Sequence, residues 1–219
     1  MEYHSKTLRL INQSVGIGST HEFAAAEESL GVSLPESVRE WYTKVDGREI
    51  LAKYSNDDHA LPPSEFRLEI VENRRLVLIM NENQGVCWWG FDLDGGDDPP
   101  VYVNFDPPPN QLFRYSTSFS EFTFVRAFDH EGYWDSDRCS METYRRLTKE
   151  DIDSLRERLV EEPQSLGWPG NEVYRFRSDL GRITIWQGDS QADWTLSGHS
   201  PEALSILRTQ LADICRPFD

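Results

Sequence analysis

A chain of 219 residues with 38% hydrophobic residues, including 7 Trp, 11 Phe and 8 Tyr, is long and aromatic enough to bury its own core, which excludes disorder and any need for disulfide or metal staples. Its 38 acidic against 22 basic residues give a formal net charge of -16, a field that repels phosphate backbones and anionic membrane surfaces and attracts basic proteins. Three widely spaced cysteines, Cys87, Cys139 and Cys215, with no C-x-x-C, no signal-peptide-like start and no apolar run long enough to span a membrane point to a reducing, cytoplasmic setting.

Ser19-Thr20-His21-Glu22 has the form of a capping box, and the helix it opens stops at Gly31. Pro35 stands where a first helical residue belongs. Val38, Trp41, Tyr42 and Val45 then recur at helical spacing up to Gly47, which makes Val38 and Trp41 core anchors. From residue 75 the period becomes strand-like, in runs at 75–80, 86–91, 101–105 and 111–115 separated by turns rich in Gly, Pro, Asn and Asp. Runs this close pair as an antiparallel meander, because a parallel return needs a longer crossover. Ser118 to Glu121 is a second capping box, opening a helix with Phe122 and Val125 on one face, and Thr148 caps a helix running to about Glu161. After a Pro/Gly break at 163–171 come three short strands, at 173–177, 182–187 and 193–197, and a helix from Ser200-Pro201 carrying Leu204, Leu207, Leu211 and Ile214. The expected fold is α+β: an antiparallel meander with helices packed on it over residues 1–150, and a helix plus a small β-β-β-α extension over 151–219. An extension this small is marginal alone, so it either extends the main sheet or supports a homodimer through the C-terminal unit.

The words Glu27-Glu28-Ser29-Leu30-Gly31-Val32-Ser33-Leu34-Pro35, the helix to Trp41-Tyr42 with Asp46-Gly47, then Trp88-Trp89-Gly90, Asp94 to Tyr102 and Ser118 to Phe122 follow one another in an order similar to the SUKH superfamily. That superfamily holds fungal cell-wall assembly regulators (Smi/Knr-like) and bacterial immunity proteins. The resemblance covers about residues 15–130. It implies helices on one antiparallel sheet, no enzymatic activity and no cofactor, and neutralisation of a cognate toxin domain, often a nuclease, by direct binding. It does not supply a binding site.

The residues support a basic partner independently. No Lys or Arg lies between Arg75 and Arg114, while Glu82, Asp92, Asp94, Asp97, Asp98 and Asp106 all fall there, so the meander loops carry charge of one sign. These carboxylates, with Trp88 or Trp89, are the expected partner-binding face, able to stand in for phosphate on a basic nuclease site. Adjacent Trp88 and Trp89 point to opposite faces of a strand, so one of them belongs to the core. Asp-rich turns are also ordinary turn chemistry.

Catalytic and metal signatures are missing. Asp92-x-Asp94-Gly95-Gly96-Asp97-Asp98 lacks the Glu that completes a calcium loop, and the five histidines, expected at the surface, form no zinc motif. Gly16-Ile17-Gly18-Ser19 lacks the rest of a phosphate-binding fingerprint and reads as a loop leading to a cap. There is no nucleophile elbow, and Cys87 sits in an apolar strand. The expected function is a non-catalytic binding module of the immunity type. A regulatory scaffold is the alternative, and a hydrolase with an acidic cleft is the reading furthest from the sequence.

Overall fold

The structure, a computed structural model, describes residues 1–16, 18–105, 111–131, 133, 135–166 and 171–215. Its first elements are four helices, α1 (Ser5–Leu10), α2 (Thr20–Leu30), α3 (Glu36–Lys44) and α4 (Gly47–Lys53). The turn between α2 and α3 explains the sequence word that spans it. Gly31 takes the left-handed conformation, φ 66°, which a Cβ would strain, and its N–H closes on carbonyls of the last helical turn. The Glu27 carboxylate then accepts the Leu34 N–H at 2.8 Å and pairs with Arg39 at 2.5 Å, so one side chain ties the helix, the turn and the next helix together. Pro35 is the residue before the helix rather than its first member.

Val38 and Trp41 on α3 are both 0% exposed. The Trp41 indole N–H donates to the Gly47 carbonyl at 3.1 Å, and a Cβ at position 47 would overlap the indole ring. Gly47 was expected to end a helix. Instead it begins α4, because Asp46 accepts the Glu49 N–H and so caps a further helix. The N–H groups of Gly16, Gly18 and Ser19 donate to the carbonyls of Lys44, Thr43 and Tyr42, satisfying the open end of α3, while the Ser19 hydroxyl caps α2. The glycine-containing loop is thus spent on two helix ends.

His4 departs from the expected surface position: it is 0% exposed. Its ring packs 4.7 Å from Trp41, with Nε2 2.8 Å from the Ser37 carbonyl and Nδ1 3.0 Å from the Thr123 hydroxyl. The N–H groups of Glu2, Tyr3 and His4 all donate to the buried Glu40 carboxylate, which fastens the start of the chain to α3. Burial holds the His4 imidazole below its ordinary value, against the opposing pull of the Ser37 carbonyl, Glu40 and Asp98. An unfolded chain therefore takes up a proton that the folded chain refuses once the pH drops below the ordinary histidine value of about 6.5. Stability is expected to be flat above that pH from this group and to fall beneath it by at most about 1.4 kcal/mol per unit. Urea unfolding of the native protein and of His4→Gln at pH 7.5 and 5.5 checks this: the native protein loses stability between the two pH values and the variant loses less. Equal losses would remove His4 as the cause.

The first sheet holds β1 (His59–Ala60), β2 (Arg67–Val71), β3 (Arg74–Asn81), β4 (Cys87–Asp92), β5 (Val101–Phe105) and β6 (Gln111–Ser116), all pairs antiparallel. Its order is β1-β3-β4-β5-β6, and β2 forms a hairpin with β3. The meander is present as expected; β1 and β2 are additions. Helix α5 (Phe119–His130) follows, with the Ser118 hydroxyl accepting the Glu121 N–H at its start. Phe119 meets Phe91, and Phe122 meets Tyr115, at 6.1 and 5.7 Å in edge-to-face geometry, which anchors α5 on the sheet. Cys87 is buried there, and burial pushes its thiol up to about 12, an inert structural cysteine.

Two compact units divide the chain, Met1–Phe128 and Asp129–Asp219. The second contains β7 (Cys139–Arg145), α6 (Lys149–Arg158), β8 (Val160–Leu166), β9 (Glu172–Arg177), β10 (Gly181–Gln187), β11 (Gln191–Gly198) and α7 (Pro201–Gln210). These strands form a separate antiparallel sheet, ordered β7-β11-β10-β9-β8, rather than an extension of the first. The expected three strands and helix are β9, β10, β11 and α7. The boundary expected near residue 150 falls inside this unit, because β7 pairs with β11 and β8 pairs with β9. Pro163, read as a break, lies in β8, an edge strand bulged between Glu162 and Ser165, where a missing N–H is tolerated. One face of the sheet gathers Tyr174, Phe176, Ile183, Ile185, Trp194 and Leu196 with Leu204 and Leu207 of α7 into a core. The opposite face buries Arg175, whose Nε and Nη2 donate to both Asp129 oxygens at 2.7 and 2.6 Å; Thr184 and Ser165 complete the cluster.

Candidate partner-binding site

The eight residues expected to meet a partner fall into distinct environments. Trp89 is a core residue, 7% exposed, with its ring edge-on to Tyr115 and the Arg126 guanidinium 5.0 Å from it. Trp88, on the other face of β4, is half-buried. Glu82 folds back on its own turn, accepting the N–H groups of Gln84 and Val86. Asp92 is buried and accepts from Arg74 at 3.1 Å; Asp94 is exposed and holds Arg75 through two bonds of 3.0 and 2.5 Å. The one-sign field expected from the 76–113 stretch is therefore interrupted in space, because the arginines that close the β2–β3 hairpin reach across to β4 and its turn. Asp106 lies outside the described residues.

Asp97 and Asp98 come to a different setting. The Asp97 carbonyl accepts the Ser37 N–H at 2.9 Å, which fixes the loop against the first turn of α3. The Asp98 carboxylate takes the N–H and hydroxyl of Ser120 at 2.9 and 2.5 Å, at the start of α5. A carboxylate at a helix N-terminus faces the positive end of the helix dipole, so this contact suits the start of α5. The Glu40 carboxylate, by holding the N–H groups of Glu2 and Tyr3, brings the beginning of the chain to the same place. Burial by itself would raise the Glu40 carboxyl; the three N–H donors keep it below its ordinary value.

The outcome is a patch in which the Tyr3 phenol stands among the carboxylates of Glu2, Glu36, Asp97 and Asp98. Loss of water and then those carboxylates, Glu2 first, hold the phenol above its ordinary value. Asp97 is exposed; Glu36 lies 3.4 Å from Arg39, which also serves Glu27. Asp97 and Asp98 belong to the face expected from the sequence; Glu2, Tyr3 and Glu36 do not. They are distant in sequence, and their only signal was indirect: Glu36 as a first-turn acid of α3, and an N-terminus with no apparent anchor.

Two open clefts of about 570 and 440 Å³ flank α4, the first against the 13–16 loop and the second against Pro62 and Pro63, and Asp46 and Glu49 line both. Tyr42, which lines the second, is held far above its ordinary value by burial and keeps its proton at neutral pH. Among the described residues no group of three or more His, Cys, Asp or Glu side chains is placed to hold a metal ion, and no helix is long and apolar enough to cross a membrane.

Residues 18–123 match the model of the SMI1/KNR4 family, SUKH-1, a span that takes in α2 to the first turns of α5 and the whole first sheet. No curated protein and no solved structure matches the chain. The matched span contains the Glu27 clasp, the Trp41–Gly47 bond and the Asp97–Asp98 loop, the features that fix the helix pair on the sheet. Residues 18–123 are a SUKH superfamily domain of the SMI1/KNR4 type.

Proposed function

We propose that this protein is a non-catalytic binding module that neutralises a cognate toxin domain by covering its basic active surface. The observation that carries the reading is the family match over residues 18–123, since the SUKH superfamily includes toxin-immunity proteins. The net charge of -16 supports a basic partner, because long-range attraction raises the encounter rate and counts most where the toxin must itself attract phosphate. The Tyr3 patch is the face proposed for the contact. A tyrosine set among carboxylates offers an aromatic anchor with a polar tip and a ring of charge, the composition of an interface hot spot for an Arg- or Lys-rich surface.

Charge reversal tests the place of contact. Glu36→Lys combined with Asp97→Lys is expected to weaken binding to the toxin domain encoded beside the gene by at least about a hundredfold, chiefly through slower association at low salt. Tyr3→Ala is expected to act mainly on dissociation. Cells expressing the toxin should lose protection with the double variant while the protein still accumulates in folded form. Full protection by the double variant would place the contact elsewhere.

A further inference from the structure

Strand β2 is exposed on both faces: Ile70 is 73% and Leu68 36% exposed, and Arg67 and Glu69 lie open between them. Its hairpin with β3 uses only one of its edges. The two-residue turn Glu72–Asn73, with φ 50° and 64°, closes on the pair Val71–Arg74, so this pair and its alternates Glu69–Leu76 and Arg67–Leu78 are the hydrogen-bonded pairs of the ladder. The backbone groups of Leu68 and Ile70 consequently point outward, and among the described residues no strand pairs with that edge. The edge has neither proline nor bulge to blunt it.

We propose that β2 pairs antiparallel with β2 of a second copy of the chain, about a two-fold axis at Leu68. The outward groups require Leu68 or Ile70 to sit in a hydrogen-bonded pair, and charge chooses between them. Centred on Leu68, each Arg67 stands opposite Glu69 of the second copy in the non-hydrogen-bonded position, where side chains approach most closely, and this occurs twice. Ile70 then lies across from Phe66 of the second copy. Centred on Ile70, Leu68 opposes Glu72 and Glu69 opposes Val71, and both charge pairs are lost. Centred on Glu69, Leu68 and Ile70 form the hydrogen-bonded pairs, but Glu69 meets Glu69 of the second copy in the close non-hydrogen-bonded position and both Arg67–Glu69 pairs are lost. The result is one isologous contact joining two first sheets edge to edge.

Sedimentation equilibrium of the full chain at 0.15 M salt tests this. The native protein is expected to show a monomer–dimer equilibrium. Arg67→Glu and Glu69→Arg, both at exposed positions, are each expected to weaken it by at least about tenfold, because each reversal turns two attractive pairs into repulsive ones. Mixing the two variants should restore association, since both cross-strand pairs of the mixed dimer again join opposite charges. A native protein that is monomeric up to millimolar concentration, or a dimer unchanged by either reversal, or a mixture that does not reassociate, would overturn the proposal. Unaltered circular dichroism of each variant shows that its loss of association is not loss of fold.

Discussion

Replacing Trp41 by Ala lowers stability by about 3–5 kcal/mol, read as a drop in the urea midpoint with the slope retained. Three losses combine at this position. The indole is 0% exposed, so its removal leaves a cavity that a helix fixed at both ends cannot collapse into. Its N–H satisfies the Gly47 carbonyl at the mouth of α4, and that carbonyl loses its side-chain donor. Its face also supports His4, which in turn reaches Ser37 and Thr123, so the cavity weakens the N-terminal anchor as well. A Trp41→Phe variant separates these contributions: it keeps much of the volume and loses the hydrogen bond, and is expected to fall between the native protein and the Ala variant. A Trp41→Ala change below about 1 kcal/mol would contradict the place given to this side chain in the core.

The second large effect lies in the other unit. Removing the Asp129 carboxylate with Asp129→Ala is expected to cost about 3–5 kcal/mol, since it takes away the counter-charge that the buried Arg175 guanidinium grips with two bonds. Arg175 is 0% exposed, and beside its two parallel bonds to Asp129 it donates to the Pro163 carbonyl and the Ser165 hydroxyl. Such a fork is geometrically specific, which suits it to fixing strand register on a polar sheet face. Combining Asp129→Ala with Arg175→Met removes the buried positive charge as well and is expected to recover most of the loss. If the single and double variants unfold at the same denaturant concentration, the cost belongs to lost packing and not to an uncompensated charge.

What the sequence made legible was what is encoded within a few residues. The α2–α3 unit can be read in advance because Ser19, Glu27, Gly31 and Pro35 each act on neighbours in the chain: a cap, a clasp, a left-handed stop and an entry to the next helix. The four runs of the meander are legible for the same reason, as strong β-formers between strong turns. Helices α1 and α4, of 6 and 7 residues, are too short to show a period. β7 escapes because its side chains are mostly half-exposed and polar, with Cys139 its one buried position. Pro163 misleads because an edge strand accepts a residue that a central strand would not.

The candidate site shows the same limit more sharply. Its charges were visible in the sequence, but their spatial company was not: Arg74 and Arg75 fold over to occupy Asp92 and Asp94, Ser120 occupies Asp98, and Glu40 holds the N–H groups of Tyr3 and Glu2. Each of these is a contact between residues 18 or more positions apart. Counting acids along the chain does not show which of them a basic side chain or a helix start already holds.

The central claim is tested most directly by isothermal titration of this protein against the cognate toxin domain proposed as its partner, at 0.05 and 0.3 M salt. The expected result is a one-to-one complex of nanomolar affinity at the lower salt that weakens at least about tenfold at the higher, as an acidic face opposed to a basic one requires. No heat of binding at either salt would contradict the immunity reading, and tight binding indifferent to salt would contradict the acidic face as its site.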